Sequence, residues 1–172
     1  KAVSAAVSDL AAMGARPIGM TLALTLPEAD ELWLHTFSQG VAAASAEYQL
    51  PLVGGDTTRG PLTISVQVLG ALPLGEALLR SGARAGDAVY VSGTLGDDAG
   101  ALAILQGRWQ PEQEHADFLL DRFNRPRARV DLGRELLDRA SAAIDLSDGL
   151  LADAGHIAEA SGVRLSIEPE QL

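Results

Sequence analysis

Apolar residues recur at helical spacing through Val3, Val7, Leu10 and Ala11, which predicts a helix over residues 2–14, with Gly14 and Pro17 as its stop signal. Residues 18–26 are apolar almost throughout and read as a buried strand. Pro27, followed by Glu28, Asp30 and Glu31, opens a second helix that reaches about Tyr48. Proline suits a first helical turn, and acids there face the positive end of the helix dipole. Trp33, Phe37 and Val41 share one face of that helix and are expected in the core, an aromatic beside an adenine pocket being the other reading. Residues 50–53 form a short strand. Leu62, Ile64, Val66 and Val68 then alternate with Thr63, Ser65 and Gln67, a strand with one buried and one polar face. Such two-faced strands often belong to antiparallel sheets.

Ala71-Leu72-Pro73-Leu74-Gly75 is the best boundary, dividing the chain into units 1–72 and 73–172. A small-residue loop from Arg80 to Asp87 leads to a strand at 88–91, and Ser92-Gly93-Thr94-Leu95-Gly96-Asp97-Asp98 opens a helix over 99–106. Helices are expected at 112–123 and 127–140, a brief strand at 142–145, a helix over 150–160 and a last strand at 163–167. The four arginines between Arg122 and Arg129 read as solvated surface. No internal repeat is visible.

Composition supports an α/β protein: 47% of the 172 residues are hydrophobic but only 4% are aromatic, so aliphatic side chains and alanine must do the packing. The formal charge is −10, from 23 acids against 13 bases, and no run of Lys or Arg offers nucleic acid a basic face. An acidic chain that handles phosphate needs metal ions to screen it, Mg²⁺ foremost. The absence of cysteine excludes disulfides, thiolate metal sites and a cysteine nucleophile. The longest strongly apolar run, 18–26, falls short of the roughly 20 residues that span a bilayer, and no signal peptide opens the chain, so a cytoplasmic location is expected by default. Lys1 leads straight into a helical pattern without a cap and Leu172 closes mid-segment, so the chain is expected to be the central piece of a longer protein.

Three stretches carry candidate chemistry. Gly54-Gly55-Asp56-Thr57-Thr58-Arg59-Gly60-Pro61 combines glycines that admit close approach to the backbone with a hard oxygen ligand and a guanidinium suited to phosphate. The same residues also read as a plain hairpin turn between 50–53 and 62–69. The Gly-rich turn at 92–98 matches a generic anion-binding helix start, although Asp97 and Asp98 would repel a bare phosphate and equally suit a helix cap. Asp145 and Asp148 flank a strand-to-helix turn and can aim at one point, as ligand sites in α/β sheets often do, unless Ser147 or Asp148 merely caps the helix. On spacing alone, Asp9 reads as a solvated helical carboxylate and His156 as a packed or surface histidine.

In combination and in order, five motifs resemble the thiamine-monophosphate kinase family: Ser8-Asp9-Leu10-Ala11-Ala12-Met13-Gly14-Ala15, Gly54 to Pro61, Arg80-Ser81-Gly82-Ala83, Val91-Ser92-Gly93-Thr94-Leu95-Gly96-Asp97 and Ile144-Asp145-Leu146-Ser147-Asp148-Gly149-Leu150. The resemblance covers nearly the whole chain. It implies ATP-dependent phosphorylation of thiamine phosphate to thiamine diphosphate, within the superfamily of aminoimidazole ribonucleotide synthetase and selenophosphate synthetase. The implied fold is two α/β domains with mixed sheets flanked by helices, the N-terminal sheet pairing across a homodimer into a barrel. Residues 1–72 would be the rear of the ATP-binding domain and 73–172 the front of the next. By the same resemblance Asp9, Asp56, Asp145 and Asp148 hold Mg²⁺, and Gly55, Asp56, Arg80 and Ser147 contact ATP. The solvated reading of Asp9 thereby gives way to a ligand. The expected partners are ATP, thiamine phosphate and a second copy, with neither nucleic acid nor membrane. The family's first stretch, with further metal ligands and a substrate-contacting histidine, would precede Lys1, and the residues that close over thiamine would follow Leu172. Two other readings stay open: another ATP-using enzyme of the superfamily, or a nucleotide-binding or structural module without turnover.

Overall fold

The computed structural model describes residues 1–168. Its elements are α1 (Ala2–Ala12), β1 (Arg16–Leu26), α2 (Glu31–Glu47), β2 (Leu52–Arg59), β3 (Thr63–Ala71), α3 (Asp97–Leu105), α4 (Gln113–Asn124), α5 (Val130–Glu135) and α6 (Leu150–Ser161). The three strands form one mixed sheet in the order β2-β1-β3, with β1 parallel to β2 and antiparallel to β3. Helix α2 makes the crossover that parallel neighbours require. Asp30 caps it by accepting a hydrogen bond from the Trp33 amide at 3.0 Å.

The apolar spacing of α1 does what it predicts. Val3 and Val7 are buried against Met20 of β1 and against Tyr48 and Leu50, which follow α2. Val66 and Val68 of β3 add to the cluster, as do Val41 and Ala44 of α2. Trp33 and Phe37 fall short of the core; they remain half-exposed and stack on each other, ring centroids 4.9 Å apart. Helix α2 starts beyond the cluster and only its later turns reach it.

The Gly54-Gly55-Asp56 stretch is not a turn. Strand β2 runs straight through it, each residue from Gly54 to Arg59 paired with its counterpart in β1 from Thr21 to Leu26. The turn comes later, at 60–62, where the Gly60 amide donates to the Leu26 carbonyl at 2.9 Å and the chain passes over the end of β1 to reach β3 on the far side. Strands β2 and β3 therefore never pair with each other. Glycine is needed at 55 for close approach, since a β-carbon there would overlap the Leu22 carbonyl.

In the second half, α3, α4 and α6 lie within two residues of their predicted bounds, whereas the helix expected over 127–140 shrinks to α5. The segments expected as strands at 88–91, 142–145 and 163–167 form no ladder among the described residues. β-structure requires a hydrogen-bonded neighbour, and 142–145 gains a single bond of this kind, from the Ala143 amide to the Leu79 carbonyl at 3.0 Å. Contacts cross residue 72 at several points. The Tyr48 hydroxyl accepts from the Ala128 amide at 3.1 Å, and α1 packs on α5. Among the described residues no helix is long and apolar enough to cross a membrane.

Gly133 of α5 sits so close to α1 that a β-carbon would overlap the Ala11 carbonyl oxygen. Elsewhere in a helix, Gly→Ala gains about 1 kcal/mol. At Gly133 the sign should reverse, with overpacking costing roughly 1–3 kcal/mol. Gly40→Ala in α2, where an added methyl meets nothing within 4 Å, should be stabilising. Thermal melts of both variants check the pair, and a Gly133→Ala protein as stable as Gly40→Ala would show that the helices are free to separate.

Candidate functional site

Three segments far apart in sequence are joined by backbone hydrogen bonds. The Leu78 amide donates to the Met13 carbonyl at the end of α1 at 3.2 Å, and the Leu79 carbonyl accepts from Ala143. Arg80 follows the first segment, Asp145 follows the second, and Asp9 stands one turn back along α1. The three charged groups therefore converge. The Asp9 carboxyl is raised above its ordinary range, first by desolvation and then by the negative charge of Asp145, with the Arg80 guanidinium pulling the other way.

Each flanking loop is held by a residue of α6. Ser161, its last residue, donates its hydroxyl to the Arg80 carbonyl at 3.1 Å and accepts from the amides of Gly82 at 3.1 Å and Ala83 at 3.2 Å. At the other end, Asp153 is 2% exposed, and its Oδ2 accepts from the amides of Ser147 at 3.0 Å, Asp148 at 3.1 Å and Gly149 at 3.0 Å. The capping reading of Ser147 and Asp148 therefore fails: Gly149 is the N-cap residue and no side chain caps the helix. Both side chains stay exposed, while Asp145 is half-buried. Sequence reasoning passed over Asp153 and Ser161. Asp153 had a findable signal, an acid in the first turn of a helix behind a Ser-Asp-Gly turn, where it can reach back to free amides. Asp87 ties the Arg80 loop down further. Its carboxyl is held below the ordinary range by the Ser141 hydroxyl, then by the Arg84 amide.

Asp56 lies within β2, exposed, its Oδ1 accepting from the Thr57 amide at 2.8 Å. Register sets it beside Ala23, with Ser65 across β1, next to a second row made by Thr58, Thr25 and Thr63. Gly55 adjoins it along an open trough lined by Leu22, Leu24, Leu52 and Val53. The turn at 92–98 is organised otherwise than expected. Asp97 accepts from Thr94 and pairs with Arg122, which ties α3 to α4, and it does not cap α3.

Among the described residues no three of His, Cys, Asp and Glu stand close enough to hold a metal ion by themselves. The donors brought together are a pair, Asp9 of α1 and Asp145 of the loop before α6, with the Arg80 guanidinium offsetting their repulsion at Asp9. Mg²⁺ typically takes one or two carboxylates, completing its shell with water and substrate phosphate. The pair fits that pattern, not a protein-only cage.

Because its carboxyl is raised, ionised Asp9 costs the folded state stability. That cost sets in as pH rises past the unfolded value of 3.8 and is complete above the folded one. Asp9→Asn should therefore melt higher than the parent at pH 7 without divalent metal, the advantage fading below about pH 3.8. Parallel melts at the two pH values check this, and an Asn variant less stable at pH 7 would mean that attraction to Arg80 outweighs the other effects.

Residues 1–72 match the model of the family described as "AIR synthase related protein, N-terminal domain". Over its whole length the chain is 52% identical to thiamine-monophosphate kinase of Salmonella typhimurium, covering 53% of that protein, and over 97% of its length it is 51% identical to the Escherichia coli K12 enzyme, covering 52%. The crystal structure of thiamine-monophosphate kinase from Stenotrophomonas maltophilia K279a superposes with a TM-score of 0.88 at 49% identity, over 93% of this chain and 52% of that one. AaThiL complexed with AMPPCP and TMP superposes with a TM-score of 0.85 at 38% identity, over the same shares. The chain thus spans about half the length of the curated relatives it matches. With its mixed sheet, its flanking helices and this unbroken similarity, the chain is similar over its length to about half of a thiamine-monophosphate kinase, and residues 1–72 match the AIR synthase related N-terminal domain.

Proposed function

We propose that the protein transfers the terminal phosphoryl group of ATP to thiamine phosphate, giving thiamine diphosphate and ADP. The observation that carries this reading is the convergence of Asp9, Arg80 and Asp145 from three separate segments, in a chain similar throughout to thiamine-monophosphate kinases. Phosphoryl transfer asks the protein chiefly for positioning and charge neutralisation, and this arrangement suits both needs. A phosphate oxygen of thiamine phosphate attacks the terminal phosphorus of ATP in line, as the bond to the bridging oxygen breaks and ADP leaves. The reading involves no phosphoenzyme.

Asp9 and Asp145, with Asp56 and Asp148, would hold Mg²⁺, which when bound neutralises the charge of the polyphosphate. Arg80 offers a planar fork to the same phosphates, a role lysine fills poorly. Gly55 would meet ATP through its backbone, beside Asp56 in the trough. Ser147 reaches ATP through its hydroxyl or carbonyl, since its amide is already given to Asp153. Residues 1–72 would be the rear of an ATP-binding domain and 73–172 the front of a second. The sheet is proposed to join that of a second copy in a barrel, because Leu52, Val53, Leu62, Ile64 and Leu69 leave apolar surface exposed on β2, β3 and their connection. The work would be done in the cytoplasm.

The test is an ADP-coupled assay, with thiamine diphosphate measured directly, on the protein at the full length of its relatives. Thiamine diphosphate formation that depends on ATP and Mg²⁺ supports the proposal; ATP use with another acceptor only would point to a different reaction of the superfamily. Asp56→Asn and Asp148→Asn should each lower turnover at least about a hundredfold while circular dichroism stays unchanged, because each removes a ligand charge and keeps the shape. Near-normal turnover in either would remove that residue from the ligand set. Arg80→Lys should raise the KM for ATP more than that for thiamine phosphate, and the reverse order would move Arg80 to the acceptor side.

A further inference from the structure

We infer that Asp153 is a positioning residue of the site, the group that holds the backbone of 147–149 so that Asp148 and Ser147 face outward to the metal and nucleotide. The inference rests on the reading of Asp145 and Asp148 as Mg²⁺ ligands given above. A buried carboxylate costs several kcal/mol unless its lone pairs are satisfied. Here one oxygen of Asp153 receives three amides within 3.1 Å, at the positive end of a helix. Hydrogen bonds to an ionised acceptor are roughly twice as strong as neutral ones, so the three together offset the burial.

The direction of these bonds is what matters for the site. The three amides turn inward to Asp153, and the side chains of Ser147 and Asp148 remain exposed. The loop thus has no free N–H among these residues to cradle a phosphate, and its contribution must come from the side chains and carbonyls. A carboxylate whose carrier loop wanders cannot hold a cation in fixed geometry. Partners that orient metal ligands from behind typically account for a factor of about 10–100 in metal affinity or activity. Asparagine at 153 would retain one acceptor oxygen but no charge, and its amide would set N–H groups against N–H groups.

The test uses Asp153→Asn in the protein at the full length of its relatives. Amide exchange by mass spectrometry should show peptides covering 147–149 exchanging faster than in the parent, with the core of α1 and β1 unchanged. The Mg²⁺ concentration for half-maximal activity should rise roughly 10–100-fold, and excess Mg²⁺ should restore most of kcat. General destabilisation would instead speed exchange in the core of α1 and β1 as well. Unchanged exchange at 147–149, or unchanged Mg²⁺ dependence, overturns the inference. Should the variant fail to fold, the parent decides: slow exchange at these amides, although their side chains are exposed, supports the role and fast exchange overturns it. The exchange readout needs no turnover. A parent protein that makes no thiamine diphosphate would therefore defeat the proposed reaction separately from the behaviour of the loop.

Discussion

Two backbone hydrogen bonds, Leu78 to Met13 and Ala143 to Leu79, decide where the charged groups of the site stand. They stitch the end of α1, the segment before Arg80 and the segment before Asp145 side by side. Each such bond contributes only about 1 kcal/mol net. They cannot alone hold two like-charged carboxylates near each other, and the surrounding packing supplies the rest. Val3 and Val7 anchor α1 in the sheet core, Gly133 lets α5 close on its other side, and Leu78 is itself buried.

Helix α6 serves the site from behind at both ends. Asp153, near its start, fixes the loop that carries Asp145 and Asp148, and Ser161, at its end, fixes the loop that carries Arg80. One rigid element, about 12 Å between those residues at 1.5 Å per residue, sets the spacing of an acidic loop and a basic one. This division of labour leaves the side chains of Arg80 and Asp148 exposed while the backbone that carries them is tied down from behind.

Much of the fold was legible because local periodicity reported it. The α1 spacing, the alternation in β3 and the apolar run of β1 each named their element. What escaped was decided by tertiary pairing. Gly54-Gly55 looks like punctuation, and only the parallel register with β1 makes it a strand interior. The apolar run at 88–91 looks like a strand, yet Tyr90 remains 89% exposed because nothing pairs with the segment among the described residues. At the site, Asp9, Arg80 and Asp145 were named from the resemblance; Asp9 is exposed as its spacing suggested, and what spacing could not supply is its neighbourhood to Asp145 and Arg80. Ser161 was missed because a single polar residue late in an amphipathic helix announces a partner only when the facing loop is known, whereas Asp153 carried a local signal in its place in the first turn behind Ser-Asp-Gly.

The contact between Gly133 and Ala11 also bears on the site. Backbone meets backbone there, with no side chain to yield, so the gap between α1 and α5 is set by main-chain geometry. Asp9 lies two residues from that point, about 3 Å along the helix axis. The carboxylate is therefore mounted beside a joint without slack, where the main chain and not a rotamer sets the distance.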